Sequence, residues 1–304
     1  MIDTKLLTLI AVAELGSFSK AAKELNLTQP AVSTHIRQLE REMGTKLINR
    51  GENGIKLTNE GNIALRYAKR IQSLYNRLDL RLKDAKKNLL TLSVGITHTA
   101  ESSNIVETLA RYANEAPDLH INFITSSIKN LYELLEEYAI DVAIVEGPNL
   151  NPQLNAVLLD TDSLLCAVSP DNPLAQKKMV TLEELTKEKM ILRSVNSGTR
   201  QLFESSIQSQ GLTINDFDIN IESDSLYTIK DLVMNNIGVS IVGRSSCVEE
   251  EKKHQIVLLP IVGLPMIRQV NLVYPKDFNH PEVLSGFIAL YNKERLAAFP
   301  HEIH

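Results

Sequence analysis

The chain is poor in cysteine: Cys166 and Cys247 are its only two, far apart and without a CxxC neighbour. That argues against a zinc site or a disulfide framework and suits a reducing cytoplasm. No apolar run approaches the roughly 18 residues of a membrane span. Met1-Ile2-Asp3-Thr4-Lys5 lacks the charged leader, apolar segment and cleavage site of a signal peptide. Catalytic constellations are missing too, with no GxSxG, HExxH or P-loop. Ser17-Phe18-Ser19-Lys20 formally matches SxxK but has no companion motifs. The tail His301-Glu302-Ile303-His304 has the wrong spacing for a metalloprotease, and Asn26-Leu27-Thr28 is a glycosylation sequon only in a secretory context. No catalytic residue, metal ligand, cofactor or membrane partner is expected.

What is present is length for two or three domains, 304 residues of which 43% are hydrophobic. The net charge of −5 hides an asymmetry. Residues 1–90 hold 16 Lys+Arg against 9 Asp+Glu, a net of +7, while the rest holds 16 against 28, a net of −12. A basic head on an acidic body fits an N-terminal part that meets phosphate.

The stretch Ser17 to Arg50 carries the most information. A first helix over residues 3–15 offers Leu6, Leu7, Leu9, Ile10 and Ala13 to a core. Ser19 is then expected to cap a short helix of small residues, Ala21, Ala22 and Leu25, and Asn26-Leu27 to turn the chain. Thr28 is the next N-cap, with Pro30 in the first turn, where its missing N–H is harmless. Val32, Ile36, Leu39 and Met43 recur at helical spacing as a buried stripe. The opposite face presents Gln29, Ser33, Thr34, His35, Arg37 and Gln38, side chains suited to a helix lying in a major groove.

Beyond it, Leu47-Ile48 and Ile55-Leu57 flank a glycine-rich turn at Gly51–Gly54 and read as a two-stranded wing carrying Arg50 and Lys56 toward phosphates or the minor groove. Residues 59–87 read as one long charged helix. Ala64, Ile71, Leu78 and Ala85 repeat every seven residues, with Ala68, Tyr75 and Leu82 as a second row, which favours a pairing helix over one packed on its own domain.

This N-terminal region closely resembles the DNA-binding domain of the LysR-type transcriptional regulators. The match runs through Phe18, Ala21-Ala22, Thr28-Gln29-Pro30-Ala31-Val32-Ser33, Leu39-Glu40, Gly44, Leu47, Arg50, Leu57-Thr58 and Gly61. The resemblance implies a winged helix-turn-helix over residues 1–58 that binds double-stranded operator DNA. It also implies a linker helix over 59–89 that makes a homodimer, and further assembly to a homotetramer. Departures from the family pattern are Ile48 in place of a phenylalanine, Thr34-His35 in place of Arg-Gln, and Asn53-Gly54 in place of a second wing arginine. They bear on base preference, since threonine cannot make the bidentate guanine contact that arginine makes.

From Leu90 onward strands alternate with helices. The strand candidates are Thr91–Thr97, His120–Thr125, Asp141–Val145, Ser163–Ser169, Met190–Arg193, Gly238–Val242 and Gln269–Val273. This is α/β texture with a mostly parallel sheet. It resembles the LysR effector domain, a two-lobed fold like that of periplasmic binding proteins, here over 90–304. Crossovers are expected near Leu158–Leu164 and Leu259–Gln269, which leaves lobe I as 90–160 plus 266–304 and lobe II as 161–265. The whole is an α+β multidomain chain.

Ligands of open α/β sheets sit beyond the carboxyl ends of strands, beside helix N-termini. The stretches in those places are Thr97-His98-Thr99, Thr125-Ser126-Ser127, Glu146-Gly147-Pro148, Asn196-Ser197-Gly198-Thr199 and Asp224-Ser225. Thr97, Thr99, Ser126, Glu146, Ser197, Thr199 and Ser225 are therefore the candidate ligand residues, and His98 reads as structural. Serine and threonine are also good helix caps, so it is their convergence that points to a pocket. Such a site takes a small anion by neutral hydrogen bonds and helix-end dipoles, without an arginine clamp. Thr97-His98-Thr99 resembles the cysteine-regulon regulators, where threonines bind sulfate, which implies a sulfur oxyanion. An aromatic or aliphatic carboxylate is the alternative. The other functional classes, a solute-binding protein or an enzyme with an appended DNA-binding module, lack support in the leader and in the catalytic motifs.

Overall fold

The computed structural model describes residues 2–51, 54–149 and 151–298. It divides at Thr91/Leu92 into two compact units, apart from Glu136–Ala139, which group with the first.

The first unit begins with α1 (Thr4–Leu15), α2 (Phe18–Glu24) and α3 (Gln29–Met43), then β1 (Ile48–Gly51) and β2 (Gly54–Leu57), then α4 (Asn59–Ala85). Leu9, Val12, Ala21, Val32, Ile36 and Leu47 form its core. Gly16 (φ 59°) and Gly44 (φ 68°) end α1 and α3 in the left-handed region. The cap of α2 is Ser17, whose hydroxyl accepts from Lys20 N; Ser19, expected in that role, lies inside the helix. Thr28 does cap α3, accepting from Ala31 N. Gly61 explains itself: a Cβ there would stand 2.0 Å from the Leu47 carbonyl oxygen. Thr58 makes that close approach by accepting from Gly61 N (2.8 Å) while donating to Lys46 O (2.7 Å). Its backbone N–H meets Leu47 O at 3.0 Å. One threonine thus caps α4 and joins it to the wing.

The second unit runs through β3 (Leu90–Ile96), α5 (His98–Glu101), α6 (Asn104–Glu115), β4 (Leu119–Thr125), α7 (Ile128–Glu136), β5 (Val142–Glu146), β6 (Leu154–Val168), α8 (Leu182–Leu185), β7 (Lys189–Arg193), α9 (Gly198–Gln208), β8 (Asp218–Ser223), α10 (Leu226–Met234), β9 (Ser240–Gly243), α11 (Val248–Lys252), β10 (Val257–Leu259), β11 (Met266–Pro275) and α12 (Pro281–Ala298). Two groups of apolar clusters define two lobes. Leu92, Val94, Ile144, Leu272 and Phe287 centre lobe I. Leu164, Met190, Phe203, Ile241 and Leu259 centre lobe II.

The mostly parallel sheet expected from the α/β texture is corrected here. β3–β5 and β7–β8 are parallel, but the longest pairing is the antiparallel ribbon of β6 and β11, from Met266↔Leu164 to Pro275↔Leu154. Lobe I attaches β5 to β11 at 270–273. Lobe II attaches β9 and β10 to the far end of β6, at 164–168. A chain that leaves a lobe and returns must run in both directions, so the two crossing strands pair head to tail. At the closing end, α12 returns to lobe I, where Tyr291 Oη donates to Asp160 Oδ2 (2.8 Å) and Arg295 Nη1 to Asp160 Oδ1 (3.0 Å).

Candidate nucleic-acid interface and effector cleft

On α3, Thr28, Gln29, Pro30, Thr34 and Arg37 are exposed. Arg37 folds its Nε back onto Ser33 O (3.3 Å). Ser33 itself is a correction. It is 8% exposed, because positions 33, 36 and 40 fall on one inward stripe of an α-helix with Ile36 and Glu40. His35 is half-buried and fixed by its own domain, Nδ1 lying 2.9 Å from Thr8 Oγ1. The Thr8 hydroxyl has one proton and donates it to Thr4 O (2.8 Å), so its oxygen accepts from His35 Nδ1–H. Lys56 is exposed on β2 opposite Asn49. Arg50 pairs with Ile55 through the backbone of β1; its side chain, Asn53 and the tail at 301–304 lie outside the described residues.

Glu40, not singled out as functional, orients the wing. Its Oε1 accepts from Leu47 N (3.0 Å) and Ile48 N (3.3 Å), and its Oε2 from Lys46 Nζ (3.2 Å). Burial alone would raise its pKa, but those two backbone N–H groups and the Lys46 ammonium hold it below the usual glutamate value.

In the second unit the residues at the strand ends take the following partners. Thr97 is buried and fully engaged: its hydroxyl accepts from Ala100 N (3.0 Å) and donates to Glu146 Oε1 (2.8 Å). It therefore has no proton to offer an anion, a correction to its expected role. Thr99 is 8% exposed on α5. Ser126 Oγ accepts from Asn130 Nδ2 (2.7 Å) at the entry to α7. Ser197 caps α9, accepting from Arg200 N (3.1 Å). Thr199 is buried and accepts from Arg268 Nη1 (3.1 Å), which leaves its hydroxyl proton free to donate. Ser225 is exposed and caps α10. His98 is exposed on the four-residue α5. The lobes meet where α7 and α9 begin, for a Cβ on Gly198 would lie 3.2 Å from Ile128 Cδ1.

Sequence reasoning missed the arginines. Arg268 on β11 is buried and paired with Asp162 on β6, Nη2 to Oδ2 at 2.7 Å. Arg193, the last residue of β7, is 4% exposed. Its Nε and Nη1 are buried without a hydrogen-bond partner among the described residues. Burial pushes the Arg193 guanidinium pKa down; Asp224 and Glu146 act against that and Arg268 adds to it. A strand ending in arginine was the only available signal, and it looks like any surface cation until the neighbouring loops close over it. Among the described residues no group of three or more His, Cys, Asp or Glu side chains could hold a metal ion, and no helix is long and apolar enough to cross a membrane.

Residues 4–62 match the bacterial regulatory helix-turn-helix family of the lysR type, and residues 88–295 match the LysR substrate binding domain. The chain is 30% identical to the HTH-type transcriptional regulator CbbR of Rhodospirillum rubrum, covering 92% of each. It is 26% identical to the HTH-type transcriptional regulator CysL of Bacillus subtilis, covering 88% of this chain and 89% of that one. Among solved structures it superposes on full-length CbnR, described as a LysR family transcriptional regulator and also solved with its target DNA, with a TM-score of 0.67 at 22% identity over 96% of this chain and 99% of that one. A helix-turn-helix head, a two-lobed α/β domain behind it and these matches over nearly the whole chain place it in the LysR family of DNA-binding transcriptional regulators with an effector-binding domain.

Proposed function

We propose that this regulator binds its operator as a homodimer built on α4, in the cytoplasm and without an enzymatic activity of its own, and that a small anion held between the lobes of its effector domain sets its DNA-bound state. Residues 1–58, 59–89 and 90–304 divide the labour as reading head, pairing helix and sensor. The observation that carries the sensor is the meeting of two helix N-termini, those of α7 and α9, with Ser126 and Ser197 at their starts and Thr199 in the first turn of α9. Backbone N–H groups and the positive ends of two helix dipoles suit negative charge there. A sulfur oxyanion follows from the Thr97-His98-Thr99 resemblance. The engagement of Thr97 by Glu146 weakens that resemblance as a guide and favours the organic carboxylate. A regulatory domain of similar fold, that of Synechocystis CcmR, is solved with 2-PG (TM-score 0.59, 20% identity over 66% of this chain and 97% of that one).

The dimer reading rests on α4, where Ile63, Tyr67, Ile71, Leu74, Leu78 and Leu82 are all more than 40% exposed and follow one another at three- or four-residue spacing. The seam differs from the expected one at its start. Ala64 and Ala68 are buried in their own domain, so Ile63 and Tyr67 take the outer positions. An apolar groove of about 410 Å³ between Leu6, Met43, Leu47, Tyr67 and Ile71 continues the stripe and suits the partner's apolar helix. Pairing of two such dimers into a tetramer extends the same reading.

Thr99→Ala combined with Thr199→Ala, with Thr199→Ser as the control that keeps the acceptor for Arg268, tests the sensor. The double variant should still shift operator fragments selected from genomic DNA, and a small anion that changes the wild-type shift should no longer do so. An unchanged response would move the effector site elsewhere.

A further inference from the structure

We propose that Thr8, a fully buried residue of α1, is a positioning residue for DNA binding: it holds His35 of α3 by Nδ1, so that Nε2 meets a backbone phosphate and binds a proton in doing so. This rests on the reading of α3 as the helix that enters the major groove, and it names a contact beside the reading face.

Thr8 is 0% exposed and cannot meet DNA itself. Its hydroxyl has a single proton, committed to Thr4 O at 2.8 Å, and its oxygen accepts from His35 Nδ1 at 2.9 Å. This contact decides which ring nitrogen titrates. Nδ1 keeps its hydrogen in the neutral and in the charged imidazole alike, so the proton that comes and goes is the one on Nε2. The two ring nitrogens point away from each other, and Nδ1 is the one turned onto α1. Nε2 is not buried and has no hydrogen-bond partner among the described residues. In the neutral ring it offers a lone pair, which a phosphate oxygen repels. In the charged ring it offers an N–H, the charge-assisted donor that a phosphate accepts.

The place of His35 on the helix points to phosphate rather than to a base. At 3.6 residues per turn it falls on the flank of α3, between the exposed face of Pro30, Thr34 and Arg37 and the inward stripe of Val32, Ile36 and Leu39. A helix about 10–12 Å across fills a major groove about 12 Å wide. Its exposed face then looks at base edges, and its flanks lie along the walls, which are the two phosphate chains. The charged groups packed near the ring are mostly committed elsewhere. From α1 come Asp3, which feels the charge of the ring and accepts from Lys5 N at 2.8 Å, and Lys5, whose Nζ is paired with Glu42 of α3 at 2.8 Å. On α3 itself, Arg37 is turned back onto Ser33 O and Glu40 is turned to the wing. Lys20, Lys23 and Glu24 of α2 are exposed to solvent. Where the family pattern has glutamine, which is neutral at every pH, this chain has a histidine with one nitrogen anchored and the other open.

The test uses the full-length protein and two duplexes of equal length, an operator fragment selected from genomic DNA and a mixed sequence. Both are titrated by anisotropy at fixed ionic strength at pH 6 and pH 8, the range in which imidazole changes charge. From pH 8 to pH 6 the wild type should gain about fivefold more affinity than His35→Gln gains, on both duplexes alike. Calorimetry at pH 7 in two buffers of different ionisation enthalpy should show the wild type taking up roughly half a proton per subunit on binding, an uptake that His35→Gln loses. Thr8→Val keeps the shape of the buried residue and removes the acceptor, so most of the acid gain and of the proton uptake should go. Thr8→Ser restores the hydroxyl and should restore both. Thr8→Ala replaces valine if the Tm shows that the core rejects it. Equal pH dependence in wild type and His35→Gln overturns the proposal. So does a Thr8→Val or Thr8→Ala protein that keeps the wild-type profile, which makes Thr8 a structural residue only. An acid gain confined to the operator fragment places Nε2 on a base edge and overturns the phosphate contact. Gln29→Ala, measured beside these variants, separates the two levels. If it relaxes base preference while His35→Gln changes nothing, α3 reads the groove and only the Thr8–His35 contact fails; if neither changes binding, the reading of α3 fails as well.

Discussion

Arg268 and Asp162 form a nearly solvent-free ion pair across the ribbon that joins the two lobes, Nη2 to Oδ2 at 2.7 Å and Nε to the same oxygen at 3.3 Å. The pair reaches outward from the ribbon on both sides. Arg268 Nη1 holds Thr199 at the start of α9, and Asp162 Oδ1 holds Ser245 N after β9. Gly243 passes so close that a Cβ there would stand 2.3 Å from Asp162 Oδ2. One guanidinium thus joins the ribbon to the start of α9, so that an effector bound at α9, as proposed above, would have a physical route to the ribbon. A ligand moves that angle only if its affinity differs between the two arrangements.

Breaking this pair from one side should be costly. Asp162→Ala strands a buried guanidinium and is expected to lose about 3–5 kcal/mol of stability in urea unfolding of the effector domain. The apolar double replacement Asp162→Leu with Arg268→Met should recover most of the loss. A double variant as unstable as Asp162→Ala would mean that the pair's geometry, rather than its charge balance, supports the ribbon.

Glu40 predicts an acid-sensitive wing. Its pKa is depressed in the folded state, so the unfolded state binds the proton more readily. The stabilisation is complete above about pH 4.5, the ordinary glutamate value, and is lost as pH falls through the lower folded value. Proton-linked loosening at Leu47 and Ile48 should appear in that window as faster amide exchange. Glu40→Gln should remove the pH dependence there, and Glu40→Ala should cost about 1–3 kcal/mol by leaving buried N–H groups without an acceptor.

Gln29 and Lys56 should separate base reading from phosphate binding. Gln29→Ala is expected to relax base preference and weaken the cognate site by about 1–3 kcal/mol. Lys56→Ala should weaken all sequences alike and lower the salt slope by about one. Anisotropy titrations over operator variants at several salt concentrations distinguish the two, and an unaltered preference in Gln29→Ala would remove it from the reading face.

Replacing both Ile71 and Leu78 by Asp places charge in the middle of the exposed apolar row of α4. If that row pairs with a second copy, sedimentation should show monomers, because unpaired charge at a closed helix interface is strongly unfavourable. An unchanged mass would assign the row to another role.

What the sequence determined by itself was mostly what has a short range. The helix-turn-helix, the wing and the long helix announce themselves through caps, periodicity and turn residues within a few positions of one another. Thr28, Thr58 and Gly44 do locally what their residue types allow. β8 went unseen because its alternation, with a strongly polar outer face in Asp218–Ser223, reads as loop. The tertiary structure alone decided what depends on packing between distant segments. Whether Ser33 looks in or out follows from where α3 meets its domain. Which residues of α4 stay exposed follows from the burial of Ala64 and Ala68. The character of the cleft was the least legible part. Thr97 is consumed by Glu146, 49 residues away, and Arg268 by Asp162, 106 residues away. Periodicity reports which face of an element is apolar, but the partner of a buried charge is chosen by chain crossings, and only the folded ribbon brings Arg268, Asp162 and Thr199 to one place.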